Sequence, residues 1–154
     1  MKRFLIILFS ILIFISVDAA RIYKGNSTYI SNCIYTYSDK RLYNGNSTYI
    51  SDCCYTYYDN RIYYRNSTYT SDIIVRYYNN KIYKGNSTYI SDCLLTYHNG
   101  KVYKGKNTYS HNCLLTIDKK HVYKGKSTYY SDIILTYEGY VPIPILIICA
   151  LNLR

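Results

Sequence analysis

The feature that most constrains this chain is an internal repeat. Six copies of one twenty-residue unit follow one another from Arg21 without insertion or deletion. A unit this short buries its apolar face only by packing against neighbouring copies. The copies occupy residues 21–40, 41–60, 61–80, 81–100, 101–120 and 121–140. We therefore predict a single domain, residues 20–140, assembled from six equivalent parts.

Two stretches of each copy predict β-strands. The second position is always aliphatic and the third is always tyrosine, as in Ile22 and Tyr23. Neighbouring residues of a strand point to opposite faces, and both residue types favour strands. A second apolar stretch, such as residues 93–97, leads into Asn99-Gly100, a dipeptide typical of tight hairpin turns. Since no apolar spacing of 3.6 residues recurs, the pattern predicts hairpins rather than helices.

The hairpins need one another for stability. Positions 2, 13, 14 and 15 of the repeat are largely apolar, which gives about four core side chains per copy. Each buried side chain contributes about 1.5–3 kcal/mol, which offsets the chain entropy only if the hairpins pack together. Packing about a common axis predicts an all-β rosette, and stacking in a line predicts a β-solenoid. A closed rosette has no free strand edges, which favours it for an aromatic-rich chain with few charges.

The amino terminus has the pattern of a secretory signal peptide. Lys2 and Arg3 precede an apolar run of 14 residues, and small residues follow. The run is too short to span a bilayer as a helix, although an uncleaved membrane anchor is the alternative. We predict a signal peptide helix over residues 1–19, with cleavage between Ala19 and Ala20.

The carboxyl terminus, residues 141–154, departs from the repeat. It begins with an uncharged, mostly apolar run that contains Pro142 and Pro144. Proline cannot donate to a β-ladder, so these residues are expected at a strand edge or strand start. We predict a final strand or a plug that covers an apolar end of the domain. A membrane-inserted tail is the alternative, but the segment is too short to span as a helix.

The charge of the chain bears on its partners. The formal net charge is +10, and loss of residues 1–19 removes two basic residues and one acidic residue, leaving +9. Export places the mature protein in a secreted, periplasmic or cell-surface location, where disulfides are possible. A cationic exported protein is expected to meet an anionic envelope polymer or glycan rather than nucleic acid. We expect no transmembrane span in the mature chain, and self-association is possible.

No catalytic signature is found. Paired carboxylates, a Ser-His-Asp set and phosphate-binding glycine loops cannot be assembled with specificity, and Glu138 is the one glutamate. The histidines His98, His111 and His121 stand at three different repeat positions, so they form no ring of metal ligands. The sequence therefore predicts no enzyme activity, no cofactor and no metal site.

Four cysteines share the thirteenth position of the repeat, where isoleucine takes their place in the third and sixth copies: Cys33, Cys53, Cys93 and Cys113. Exchange with isoleucine indicates buried thiols. If the equivalent strands were neighbours about 4.8 Å apart, disulfides between adjacent copies would also be possible. Both readings stay open, while Cys54 and Cys149 have no partner at their own positions.

Tyrosine is the remaining signal, with 24 tyrosines and no tryptophan. One column lies in the segment between hairpins: Tyr29, Tyr49, Tyr69, Tyr89, Tyr109 and Tyr129. Exposed rings there, near lysines such as Lys24 and Lys84, would suit stacking on sugars or on an anionic polymer. The alternative is that the rings form a packing layer between hairpins. Asn26, Asn46, Asn66 and Asn86 head Asn-Ser-Thr sequences, which serve either as glycan acceptors or as turn formers.

The repeat, typified by KIYKGNSTYISDCLLTYHNG at residues 81–100, resembles the secreted β-flower (rosette) short-repeat proteins of bacteria. That resemblance covers residues 21–140 and implies hairpins packed around an axis, without a settled activity. The repeat is more weakly similar to the aromatic hairpins of choline-binding modules, which use tryptophan.

Taken together, these features predict a secreted, non-enzymatic structural or adhesive protein of the cell envelope. One alternative is a carbohydrate-binding or cell-wall-binding module that uses the tyrosine column of Tyr29. Another is a self-assembling, amyloid-like surface protein, because stacked identical repeats can continue from one molecule to the next.

Overall fold

The computed structural model describes residues 19–153, so the predicted signal peptide lies, apart from Ala19, outside the described residues. Within them the chain forms twelve β-strands and one α-helix, α1, Ile143–Leu151. The strands are β1 Ala20–Lys24, β2 Cys33–Ser38, β3 Arg41–Asn44, β4 Cys53–Tyr58, β5 Arg61–Tyr64, β6 Ile73–Tyr78, β7 Lys81–Lys84, β8 Cys93–His98, β9 Lys101–Lys104, β10 Cys113–Asp118, β11 His121–Lys124 and β12 Ile133–Glu138.

The strands form one closed barrel. Each strand pairs antiparallel with its neighbours in sequence, and β12 pairs with β1. This arrangement confirms an all-β fold of hairpin repeats about an axis and excludes the linear solenoid. Closure gives both edges of every described strand a hydrogen-bonded neighbour, which removes the liability of an exposed edge.

One end of the barrel, the hairpin end, carries tight turns such as Asn99-Gly100 between β8 and β9. Both residues of this turn have positive φ, 48° and 74°, as a type I′ turn requires. Asparagine and glycine adopt this conformation at low cost. The predicted hairpin is present, with Tyr97 paired to Val102 and His98 paired to Lys101.

The opposite end, the linker end, carries the segments that join successive hairpins. In the fourth copy Ser87 Oγ donates to Asp92 Oδ2 at 2.6 Å and accepts from the Tyr89 backbone N–H at 3.1 Å. The linker then completes a 3₁₀ turn, Ile90–Asp92. Serine and aspartate thus satisfy each other and the local backbone, which explains the recurring Ser-Thr-Tyr-x-Ser-Asp pattern.

A β-bulge separates positions 13 and 15 of each repeat. Position 15 points to the inner face of the barrel, and position 13 points to the outer face. Ile82 pairs with Leu95, and Tyr83 pairs with Cys93, so Leu94 is the extra residue. Leu95 therefore shares the inner face with Ile82, and Cys93 shares the outer face with Tyr83. Position 13, expected in the central core, belongs instead to an outer layer.

The central core combines the barrel wall with α1. The second-position residues are essentially inaccessible to solvent and share one apolar cluster with Ile145–Ile148: Ile22, Leu42, Ile62, Ile82, Val102 and Val122. An α-helix that is apolar on every side is stable only when buried. Because a helix satisfies its own backbone groups, it fills this interior without a strand partner.

The expectation of a final strand in the tail is wrong, because the segment forms this helix. Pro142 caps it and Pro144 lies in its first turn, where a missing N–H costs no hydrogen bond. The helix starts at the hairpin end, where β12 finishes, and Asn152, which follows it, lines a cleft at the linker end together with Ser51. Within residues 19–153, no helix has the length and apolar character needed to cross a membrane.

Candidate functional site

The tyrosines of the linker column point into solvent. We call this set the tyrosine rim: Tyr29, Tyr49, Tyr69, Tyr89, Tyr109 and Tyr129. Their exposed fractions are 76–78% in five copies and 60% for Tyr109. The backbone of each is extended, with nearly the same angles in every copy, as at Tyr29 (φ −72°, ψ 133°) and Tyr89 (φ −73°, ψ 135°). The rim therefore presents six equivalent aromatic rings and is not the packing layer considered as the alternative.

A second tyrosine column, at position 3, forms the packing layer instead. Its members are 2–9% exposed: Tyr23, Tyr43, Tyr63, Tyr83, Tyr103 and Tyr123. On the outer face, Tyr43 pairs with Thr36 on one side and with Cys53 on the other. Burial raises the pKa of Tyr23, and the hydrogen bond that its hydroxyl donates to Glu138 at 2.9 Å raises it further. The position-3 rings are therefore structural groups of the barrel wall.

Threonine side chains fix the start of five of the six linkers. Thr96 Oγ1 donates to the backbone carbonyl of Gly105 at 2.8 Å, and Thr136 Oγ1 makes the same bond to Gly25 at 2.7 Å across the barrel closure. Equivalent bonds are donated by Thr36, Thr56 and Thr116. Five of the six linkers are therefore tied to the barrel wall before they reach the rim, which holds their exposed rings in place. The linker of Gly85 lacks this bond, because Arg76 stands where the other copies have threonine.

Adjacent copies are joined by a second contact that we call the Arg–Asn link. Arg21 Nε donates to Asn46 Oδ1 at 2.9 Å, and the two following copies repeat this bond at 2.7 and 2.8 Å through Arg41 and Asn66, and through Arg61 and Asn86. The asparagines of three Asn-Ser-Thr sequences thus carry a structural role between linkers. Lysines and a histidine occupy the first position of the last three copies.

The linker end carries most of the exposed lysines of the wall. Position 4 is exposed in every copy and is occupied by Lys24, Asn44, Tyr64, Lys84, Lys104 and Lys124. These residues lie two places after the inward second position, so they line the mouth of the barrel. The rim and this cationic mouth therefore belong to the same end of the molecule.

A cleft of about 800 Å³ opens at the linker end between the second and third copies. Residues that depart from the repeat pattern gather there, including Asn44, Tyr64 and Arg65. The Arg65 guanidinium lies 5.2 Å from the centre of the Tyr64 ring. A planar cation, an amide and aromatic rings can hold a polar ring such as a sugar. Sequence analysis missed this cleft because Asn44 and Tyr64 belong to different copies of the repeat, and only the fold brings them together.

The Cys54 thiol, which lines this cleft, is protonated at neutral pH. Cys54 Sγ donates to Asn44 Oδ1 at 3.0 Å. Burial, together with nearby Cys53 and Asp52, raises the pKa of the Cys54 thiol to about 11. Since the thiolate is the reactive form, the group acts here as a hydrogen-bond donor.

Half-buried tyrosines line the hairpin end: Tyr37, Tyr57, Tyr77, Tyr97 and Tyr137. Tyr57 donates to Asn60 Oδ1 at 3.0 Å, and Tyr77 makes the same bond to Asn80. Burial, and to a smaller extent the neighbouring Tyr57, raises the pKa of Tyr37 to about 12. Tyr57 and Tyr77 thus fasten their hairpin tips, a role that the sequence pattern did not indicate.

All six cysteines have free thiols, and the topology explains why the predicted column does not form bridges between neighbouring copies. Cys33 lies on β2 and Cys53 on β4, with β3 between them. Two strand spacings amount to about 10 Å, beyond the roughly 7 Å that a disulfide can span between Cα atoms. The same separation holds for Cys93 and Cys113, so the column consists of free thiols, of which Cys53 is buried and the other three are half-buried.

The histidines lie apart. The His111 ring stacks on Tyr109 with centroids 5.8 Å apart, and His121 packs edge-on against Tyr123 at 5.9 Å. His98 is exposed at the end of β8. In the part of the chain that the structure describes, no three histidine, cysteine or acidic side chains are grouped so as to hold a metal ion.

Comparison with known proteins yields one finding. A family model described as 6-fold beta flower protein matches residues 22–146, which includes all six repeats and the start of α1. No curated protein and no solved structure matches the chain. The match covers most of the sequence and agrees with the closed six-unit barrel, so the chain belongs to the 6-fold beta flower family.

Proposed function

We propose that this protein is a secreted, non-enzymatic adhesive protein of the cell envelope that binds repeating surface saccharides through the tyrosine rim. The observation that carries the proposal is the exposure of six equivalent tyrosines, 60–78%, on linkers fixed by hydrogen bonds. Tyrosine offers a sugar both an aromatic face and a hydroxyl. No packing role accounts for these rings, because the buried tyrosine column already supplies the packing layer.

Repetition makes such a surface effective. A single tyrosine–sugar contact is weak, but several equivalent contacts on one scaffold raise the effective concentration of each further contact. Multivalent binding of this kind exceeds single-site affinity by about 10²–10⁴ when the geometry allows simultaneous engagement. A polymer with many identical units is therefore the ligand that a six-fold rim suits best.

Charge and compartment support the same proposal. The mature charge of +9 attracts anionic envelope polymers, and the exposed lysines at the linker end add to that attraction. The predicted signal peptide supports secretion. Amyloid-like assembly has less support, since strand addition needs a free edge and β12 pairs with β1.

The test is retention on immobilised envelope polysaccharide. We expect a rim variant with Tyr49, Tyr89 and Tyr129 all changed to Ala to lose at least about tenfold in affinity, since each stacking contact contributes about 0.5–1.5 kcal/mol. A matched control changes three exposed tyrosines outside the rim, Tyr58, Tyr78 and Tyr140, to Ala. The proposal fails if the rim variant binds like the unmodified protein, or if both variants lose affinity equally while their thermal unfolding midpoints are unchanged.

A further inference from the structure

The boundary between the fourth and fifth copies differs from the earlier boundaries. Lys81 occupies the position of the arginine in the Arg–Asn link, and Lys106 occupies the position of the asparagine. Both lysines line one groove of about 380 Å³, together with Tyr97, His98 and Tyr109. At the preceding boundary, Arg61 and Asn86 fill the same positions with a 2.8 Å hydrogen bond.

Lys81 and Lys106 thus place two positive charges at this boundary. In the Arg–Asn link of the earlier copies, one positive charge meets the neutral amide oxygen of an asparagine. Among residues 19–153, the side-chain ion pairs are those of Arg41 with Asp39 and of Arg61 with Asp59. The two groove lysines therefore have no carboxylate partner within the described chain. Two like charges in one groove repel each other. An anion bound between the two ammonium groups attracts both of them and so offsets that repulsion.

The boundary between the fifth and sixth copies carries the same replacement, Lys101 with Lys126. There, however, Lys126 Nζ donates to Ser110 Oγ at 3.0 Å, so one of the two cations is already engaged. The groove of Lys81 and Lys106 is therefore the better candidate for an external anion.

The groove also has an aromatic wall that belongs to the tyrosine rim. Tyr109 lines it and is the least exposed rim member, at 60%, with its ring stacked on His111. Asn107 and Thr108 add an amide and a hydroxyl beside the two lysines. An aromatic face, polar groups and paired cations in one groove match a sugar ring that carries an acidic substituent.

We propose that this groove binds an acidic saccharide, with its sulfate or carboxylate group between Lys81 and Lys106 and its ring against Tyr109. The inference deepens the proposed function and rests on it for the saccharide, because the rim supplies general adhesion and the groove supplies selectivity for acidic units. The chemistry shared by the two anions is a compact oxyanion that accepts charge-assisted hydrogen bonds from ammonium groups.

The test restores the link of the earlier copies. In the variant K81R/K106N the groove should regain an Arg–Asn bond, so the protein keeps or gains thermal stability while losing the cation pair. We expect affinity for a sulfated oligosaccharide to fall about tenfold, to the level of its unsulfated parent. The reciprocal variant R21K/N46K should create a second groove between the first two copies and raise affinity for the sulfated probe.

Calorimetric titration with three oligosaccharides of equal length, sulfated, uronic-acid-containing and neutral, identifies the preferred anion, and inorganic sulfate should compete with it. The inference is overturned if K81R/K106N binds the acidic probes as tightly as the unmodified protein, or if acidic and neutral probes bind equally to the unmodified protein. Binding of the neutral probe that depends on the rim tyrosines, without acidic preference, would leave the proposed function standing and remove this groove. If binding of the acidic probes is lost in K81R/K106N but unaffected in the rim variant, the result supports the groove as the acidic-saccharide site and contradicts the role proposed for the tyrosine rim.

Discussion

The two tyrosine columns of the repeat contain the same residue six positions apart and lie in opposite environments. Tyr83 is 5% exposed and Tyr89 is 77% exposed, and the other five copies show the same contrast. Tyr83 lies on a strand, between the neighbouring strands that cover it, whereas Tyr89 lies in a linker ahead of a 3₁₀ turn.

This difference shows what a repeat can and cannot predict. Regular spacing indicates that all members of one column share an environment, but it does not indicate whether that environment is buried or exposed. Both columns are invariant within this chain, so their composition alone could not separate packing from presentation. What separates them is the backbone between them, where the chain leaves the barrel wall after a residue with positive φ, such as Gly85 at 55°.

The largest expected effect comes from truncating one member of each column in the same copy. Tyr83→Ala should lower the free energy of unfolding by about 3–5 kcal/mol, because it empties a buried aromatic site. Tyr89→Ala, the matched control, should change that free energy by no more than about 0.5 kcal/mol. Urea denaturation followed by circular dichroism measures both, and similar losses in the two variants would remove the distinction between the columns.

A smaller effect is expected at the residue that separates the columns. Arg65 has φ of 55° where the other copies have glycine, and a left-handed non-glycine residue costs about 1–2 kcal/mol. Arg65→Gly should therefore raise the free energy of unfolding by about 1 kcal/mol, reduced in part by loss of the stacking on Tyr64.

The reciprocal change, Gly85→Arg, serves as its control and should lower the free energy of unfolding by about the same amount. A β-carbon at Gly85 would meet no atom within 4 Å, so the penalty there is conformational rather than steric. If both substitutions destabilise the protein, the turn is held by side-chain contacts and not by backbone preference.

The smallest effect concerns the half-buried tyrosines, which lie between the two extremes. Burial raises the pKa of Tyr37 to about 12 from the ordinary value of 10. Between these pH values the folded chain holds a proton that the unfolded chain has released, so stability falls as pH rises through this window. Tyr37→Phe should make that fall shallower, as seen in the unfolding midpoint measured at successive pH values, with Tyr130→Phe at an exposed site as the control. An unchanged slope would show that Tyr37 does not contribute to the alkaline loss of stability.

Much of the architecture could be predicted from the sequence, because the repeat sets the number of hairpins and Asn99-Gly100 sets their turn. The aliphatic second position, such as Ile22, was correctly assigned to the core. Position 13 was wrongly assigned to the core. A bulge moves Cys93 to the outer face, and a run of apolar residues does not indicate where a bulge lies. The helix was also missed, because Pro142 and Pro144 fit a strand start as well as a first helical turn.

The candidate site was predicted in part. The Tyr29 column was recognised, but its exposure depends on the linker geometry, which the sequence does not give. The groove of Lys81 and Lys106 was not found, because these residues lie in different repeats and meet only when neighbouring linkers are placed side by side. The signal that could have revealed the groove is a paired change in adjacent copies: lysine replaces arginine at position 1 of one copy and asparagine at position 6 of the next.

Pairing of β12 with β1 brings together segments more than a hundred residues apart, although every other strand pairing is between neighbours in sequence. Local hairpins can form within microseconds, but the final seam and the helix behind it need the whole polypeptide. The barrel is therefore expected to stay open until β12 and α1 have been synthesised, so that the earlier hairpins form before they have a closed interior to enclose.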